Sequence, residues 1–108
     1  MTTPVCLPCS RATPRLDATT CAARLRDLHP DWRLQDEARQ ICRAFGFKGF
    51  AKPAQLANLA VWHAEKTGHH PDIAYGWGYC RITYTTHEIG GLSEVDFAMA
   101  KGFDTLLG

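Results

Sequence analysis

The sequence predicts an α+β domain in which three helices pack on one face of a four-stranded antiparallel sheet, in the order α-β-β-α-β-β-α. Three stretches place apolar residues at three- and four-residue spacing, and two pairs of short β-rich runs lie between them. The connections inside each pair are too short for a crossover, so the pairing is antiparallel. With 108 residues, 12.0 kDa and no interior linker or repeat, residues 17–108 form one domain.

Residues 1–16 carry Pro4, Pro8 and Pro14, no aromatic residue and no periodicity, and read as an extended arm that orders only by docking. From Asp17 the spacing of Ala18, Cys21, Ala22, Leu25 and Leu28 predicts a helix that Pro30 ends. Trp32-Arg33-Leu34 and Gln40–Phe47 follow as a hairpin around the polar Gln35-Asp36-Glu37. The longest helix is predicted from about Phe50 to Thr67, with Gly49 as its N-cap and Pro53 in its first turn. Gly68 suits the left-handed position past its end, and Pro71 prevents it from resuming. Ile73–Trp77 and Tyr79–Thr86 then form strands around Gly76-Trp77-Gly78. In the second of these Cys80, Ile82 and Tyr84 face one way and Arg81, Thr83 and Thr85 the other, joined by His87 if pairing continues. Ser93 caps a last helix with Asp96 at its third position, and Val95, Met99, Phe103, Leu106 and Leu107 supply its apolar side.

Composition narrows the function classes. Twelve basic and eleven acidic side chains give a net charge of +1, with no run of more than two Lys or Arg, so the footprint of a nucleic-acid binder is missing. No apolar run approaches the roughly 20 residues that span a bilayer. The N-terminus lacks the charged and apolar regions of a secretory signal, which makes the cytoplasm the expected compartment. Cys6, Cys9, Cys21, Cys42 and Cys80 are an odd set and do not read as a disulfide framework. Cys42 and Cys80 fall in apolar segments and read as buried thiols.

The densest polar stretch is Glu65-Lys66-Thr67-Gly68-His69-His70-Pro71-Asp72. Glu65 and His69 are four apart and can meet across the helix terminus. Pro71 biases His70 toward an extended conformation, so the two imidazoles leave the helix in different directions. His87 stands 17 residues beyond His70, and a hairpin over 73–86 returns it to the same end of the sheet. Three imidazoles converging there suit proton transfer, and the same set could ligate a metal. His63, on the inner side of the long helix, reads as a packed side chain.

These residues resemble one family. Glu65-x-x-x-His69-His70-Pro71, Thr86-His87-Glu88, Gly91-Leu92-Ser93 with Asp96, Asp31-Trp32 and Phe47-Lys48-x-Phe50 together resemble the pterin-4a-carbinolamine dehydratases, over residues 19–107. The resemblance implies a lyase that removes water from 4a-hydroxytetrahydropterin to give quinonoid dihydropterin, in the recycling of the tetrahydropterin that an aromatic amino acid hydroxylase uses. It implies no metal and no organic cofactor. Carried over residue by residue, it makes His69, His70 and His87 catalytic, Glu65 and Asp96 supporting, and Trp32 a wall on which a planar pterin stacks. Gly68 stands where many members have Asp, Gly49 where Asp commonly caps the helix, and Val95 where a polar residue lies beside Asp96. The family assembles as dimers and tetramers, and Val61 and Trp62, off the main apolar stripe of the long helix, predict a homo-oligomer with tetramer ahead of dimer.

Two rival readings stand beside this one. Mammalian members also act as dimerisation cofactors of a homeodomain transcription factor, which makes a non-catalytic interaction module one alternative. A metal-binding protein using His69, His70 and His87 with Cys6 and Cys9 is the other, although Cys6-Leu7-Pro8-Cys9 has no second Cys pair to complete four ligands.

Overall fold

The computed structural model describes residues 14–108. Its first helix, α1 (Ala18–Leu25), starts where the Asp17 carboxylate accepts the Thr20 backbone N–H at 2.7 Å. That satisfies one of the four amides left open at a helix start. Just before it, the Leu16 N–H donates to the Leu92 carbonyl at 2.8 Å, so the chain is docked from this point on. Cys6-Leu7-Pro8-Cys9 and most of the expected arm lie outside the described residues.

Strands β1 (Arg33–Gln35) and β2 (Gln40–Gly46) form the first hairpin. The turn between them places Asp36, Glu37 and Ala38 at φ of 53°, 55° and 64°, three side-chain-bearing residues in the left-handed region. Helix α2 (Ala51–Thr67) follows, with Pro53 in its first turn. Its N-cap is Phe50 rather than the expected Gly49. Gly49 adopts φ +139°, and its carbonyl accepts the Gly78 N–H at 2.7 Å, tying the start of α2 to the turn of the second hairpin. At the other end Gly68 takes φ +83° and its N–H donates to the Ala64 carbonyl, the left-handed stop that the sequence predicts.

Strands β3 (Asp72–Gly76) and β4 (Tyr79–Tyr84) turn at Trp77-Gly78. The sheet order is β1-β2-β4-β3, antiparallel throughout. β4 ends two residues before the expected Thr86 because its partner runs out: Tyr84 pairs with Ile41, at the start of β2. The Thr85 hydroxyl instead donates to the Arg39 carbonyl at 2.6 Å, and Thr86 bridges to Gly91 around a 3-10 turn over His87–Ile89. Helix α3 (Glu94–Leu107) closes the chain, with the Asp96 carboxylate taking the Ser93 N–H at 3.0 Å.

One face of the sheet carries the core. Ile41, Cys80, Ile82 and Tyr84 meet Cys21 of α1, Leu56, Ala57 and Ala60 of α2, and Phe97, Met99, Ala100 and Phe103 of α3. All three helices therefore lie on that face, and Cys42 and Cys80 are buried free thiols as expected. Leu106 and Leu107 do not join the core. They are exposed because the last turn of α3 runs past it, while Phe97 and Ala100 take the inward positions. His63 is buried with Nε2 3.3 Å from the Met99 carbonyl, a packed and partnered side chain. No helix of the described residues is long and apolar enough to cross a membrane.

Candidate active site

The C-terminus of α2, the N-terminus of α3 and the 3-10 turn meet at one end of the domain, and each contributes one ring or one carboxylate. Gly68 reverses the chain as α2 ends, which sends His69 inward. Its ring is almost wholly buried, and its Nε2 lies 2.6 Å from Asp96 Oδ1. Asp96 is fully buried in the first turn of α3, where the helix dipole favours a negative charge. Its second oxygen, Oδ2, accepts from the Thr86 hydroxyl at 2.7 Å and from the Ser93 N–H at 3.0 Å. Thr86 and Ser93 hydroxyls are 3.0 Å apart and close the network. A buried carboxylate thus has both oxygens occupied by donors, the condition for keeping charge away from water.

Tyr84 completes the setting of His69. The two rings are nearly parallel, 14° between planes and 6.1 Å between centroids. Behind Tyr84 lies Trp32, 5.9 Å away and buried, with its indole N–H donating to the Asp104 carboxylate at 2.9 Å. Asp104 also takes Arg43 at 2.7 Å. Trp32 is therefore not the open wall for a stacked pterin that the resemblance implies: its ring is packed inside the core, where it braces the histidine layer from behind Tyr84. Burial pushes the Tyr84 phenol well above its ordinary range, with the Asp104 and Asp96 charges adding to the shift.

His70 and His87 are outside this layer. Pro71 turns His70 to the surface, where its Nε2 lies 2.8 Å from Glu65 Oε2. The expected partner of Glu65 was His69, four residues on. The helix stops at Thr67, so the four-residue spacing no longer brings the two together, and the next imidazole meets the carboxylate instead. His87, on the 3-10 turn, faces Asp72 Oδ2 at 3.9 Å, an ionic contact beyond hydrogen-bond reach. Asp72 is two residues past His70, so the hairpin does bring the two histidine-bearing segments together. Each of the three imidazoles has a carboxylate beside it. In a neutral ring whose Nε2–H donates to that carboxylate, Nδ1 is the basic nitrogen.

Sequence reasoning assigned no role to Asp72, Tyr84 or Thr86. Asp72 was visible within the polar stretch and Thr86 within its motif, while strand alternation alone gave no sign that Tyr84 stacks on a histidine. Among the described residues no three His, Cys, Asp or Glu side chains gather closely enough to hold a metal ion, so His69, His70 and His87 do not form such a group.

A small α+β protein with a buried histidine–aspartate pair and two exposed histidine–carboxylate pairs at one end of its sheet is the class these observations define. The particular family follows from comparison. The chain belongs to the pterin 4 alpha carbinolamine dehydratase family, whose sequence profile matches residues 14–106. It is 50% identical over 95 residues to a relative from Paracoccus denitrificans provisionally named pterin-4-alpha-carbinolamine dehydratase, covering 88% of each chain. A relative of the same provisional name from Methylococcus capsulatus is 42% identical over 106 residues, 98% of this chain and 92% of that one. Among solved structures, a transcriptional coactivator/pterin dehydratase from Brucella melitensis superposes with a TM-score of 0.77 at 30% identity, covering 88% of this chain and all of that one. A pterin dehydratase-like protein described as a RuBisCO assembly factor in the alpha-carboxysome gives 0.59, also at 30% identity, covering 74% of this chain and 93% of that one.

Proposed function

We propose that this protein dehydrates 4a-hydroxytetrahydropterin to quinonoid dihydropterin, with His69, His70 and His87 as its catalytic imidazoles. The supporting observation is that each of these rings stands beside a carboxylate at one end of the domain. In the reaction the C4a–O bond breaks with its electron pair on oxygen, and that oxygen takes a proton to leave as water. The N5 lone pair forms the new bond to C4a, and a ring nitrogen gives up a proton. One acid and one base suffice, and the adjacent nitrogen supplies the push that a metal or organic cofactor would otherwise give. His70 and His87 are exposed and reach substrate from solvent, one as proton donor and the other as acceptor. His69, locked by Asp96 and Tyr84, is the fixed member against which the pterin registers, with Glu65 and Asp96 supporting and Trp32 backing the layer. The reaction belongs to the cytoplasm and to the turnover of a pterin-using aromatic amino acid hydroxylase.

The test generates 4a-hydroxytetrahydropterin in situ and follows the rise of quinonoid dihydropterin against the spontaneous rate. A positioned acid or base contributes about 10²–10⁴-fold, so wild type stands clear of the baseline, and His70→Ala and His87→Ala each fall toward it. Wild type that only matches the baseline overturns the assignment.

A second reading, the interaction module, draws on the coactivator and assembly-factor descriptions of the two solved neighbours and on the exposed Val61 and Trp62 of α2. The same two side chains support a homo-oligomer, tetramer before dimer. Light scattering that shows only a 12.0 kDa species at micromolar concentration refutes the oligomer.

A further inference from the structure

A second concavity lies beside the first half of α2, from Lys52 to Leu59, and the eight residues from Leu59 to Thr67, about 12 Å at 1.5 Å per residue, separate it from the histidine end of the domain. There Phe45 and Phe47, Leu56 and Leu59 of α2, and Leu107 at the end of α3 line a widely open cavity of about 450 Å³. A space of that size and apolar lining holds a small organic molecule. It shares none of the histidines or their carboxylates with the candidate active site, and its Arg43 reaches that site only through Asp104 and Trp32.

Its polar lining residues are Arg43, Lys52 and the neutral Gln55, so the charge on its wall is cationic. Arg43 lines it with its guanidinium stacked over the Phe45 ring, 4.4 Å from the centroid. One nitrogen of that guanidinium holds Asp104 at 2.7 Å, while Nε has no hydrogen-bond partner among the described residues. Lys52 stands exposed on the rim. The surrounding chain is one-signed: residues 38–64 contain Arg39, Arg43, Lys48 and Lys52 and no Asp or Glu. An apolar hollow with a lysine at its mouth and no carboxylate in the segment that builds most of it is complementary to one kind of small molecule. Its body must be apolar, and its head must be negative.

We propose that this cavity is a second ligand site, which takes a small organic anion with an aromatic or branched apolar body, such as an aromatic carboxylate or sulfonate. The body lies among Phe45, Phe47, Leu56 and Leu59, and the anionic head meets Lys52 with Arg43 behind it. The site does not depend on the dehydratase reading, because it uses none of the histidines.

The test titrates the full chain with 8-anilinonaphthalene-1-sulfonate and maps the bound probe by NMR on the Leu56, Leu59 and Leu107 methyl groups. The expected result is saturable binding with shifts at those methyls. Lys52→Glu, an exposed substitution, weakens it about tenfold or more. Raising salt weakens it as well, since the rim charge is accessible and screened. His70→Ala and His87→Ala leave it unchanged, which separates its failure from that of the histidine site. Absence of saturation up to roughly 1 mM, shifts confined to other residues, or equal binding by Lys52→Glu overturns the proposal. So does light scattering in which Leu59→Glu dissociates an oligomer and opens the cavity to the probe, since its occupant is then a second copy of the chain.

Discussion

Replacing Asp96 isolates the energetic core of the histidine site. In Asp96→Ala three donors lose their acceptor: the His69 ring, the Thr86 hydroxyl and the Ser93 N–H. Thr86 and Ser93 hydroxyls already lie 3.0 Å apart and can satisfy each other, which leaves the Ser93 amide stranded and takes from the imidazole its 2.6 Å contact with the carboxylate. A buried donor without a partner costs about 1–3 kcal/mol and a hydrogen bond to a charged group contributes about 1.5–3, so the variant loses about 3–6 kcal/mol. That is a large share of the roughly 5–15 kcal/mol that holds a domain of this kind. Asp96→Asn keeps the shape. Its carbonyl can accept from His69 while its amide donates to Thr86, whose hydroxyl rotates to accept. The Ser93 N–H alone is then left open, for about 1–3 kcal/mol.

Urea titration reads both variants through a shift of the midpoint at constant slope. The reasoning requires Asp96→Ala to cost clearly more than Asp96→Asn. Equal losses, or a loss below about 1 kcal/mol for the alanine variant, refute the view that one buried carboxylate satisfies three donors. In the dehydration assay a folded Asp96→Asn lowers kcat more than it raises KM, because it disturbs the orientation of His69 rather than a surface contact.

Two further predictions concern stability. Burial pushes up the Tyr84 phenol from its ordinary 10.0 and the Cys21 and Cys80 thiols from 9.0. The native state keeps these protons where the unfolded chain has released them, so stability is full below pH 9 and falls as pH rises through 9–10 and beyond, by up to about 1.4 kcal/mol per pH unit for each group. Tyr84→Phe makes the alkaline fall shallower. It also matches or exceeds wild type at pH 7 by about 1 kcal/mol, because the hydroxyl is buried with no partner among the described residues. A loss of more than about 1 kcal/mol in urea contradicts this. Glu37→Gly relieves one of the three left-handed residues of the β1–β2 turn. The strain is about 1–2 kcal/mol and glycine returns about 0.5–1 in chain entropy, so a net gain of about 0.5–1 kcal/mol is expected. For a domain of this size that raises Tm by about 2–8 °C, and an unchanged or lower Tm in calorimetry defeats it.

The fold was legible because its punctuation is local. Gly68 and Pro71 stop α2, Trp77-Gly78 turns the second hairpin, and Ser93 with Asp96 opens α3; each acts within four residues of itself. Element ends set by distant partners were not legible. β4 stops at Tyr84 because β2 starts at Gln40, and Phe50 displaces Gly49 as N-cap because Gly49 is held by Gly78. The turn at 36–38 carries no glycine, so nothing in its composition announces a left-handed run.

The site shows the same division. That three histidines share one end of the sheet follows from spacing and a hairpin. Which carboxylate each meets does not, because pairing there depends on where a helix frays or turns. Glu65 illustrates this: a helix one turn longer would have given it His69, and Gly68 gives it His70. The same glycine buries His69 against Asp96 and leaves its neighbour in solvent, so two adjacent, chemically identical residues receive opposite environments. His69 cannot move without breaking a network of five groups, whereas His70 and His87 keep surface freedom. A reaction that needs one fixed reference and two exchangeable protons draws on both kinds. Filling position 68 with a β-branched residue such as Val, which tolerates the left-handed region poorly, would strain the end of α2 and disturb both kinds at once, and its cost would appear in activity and stability together.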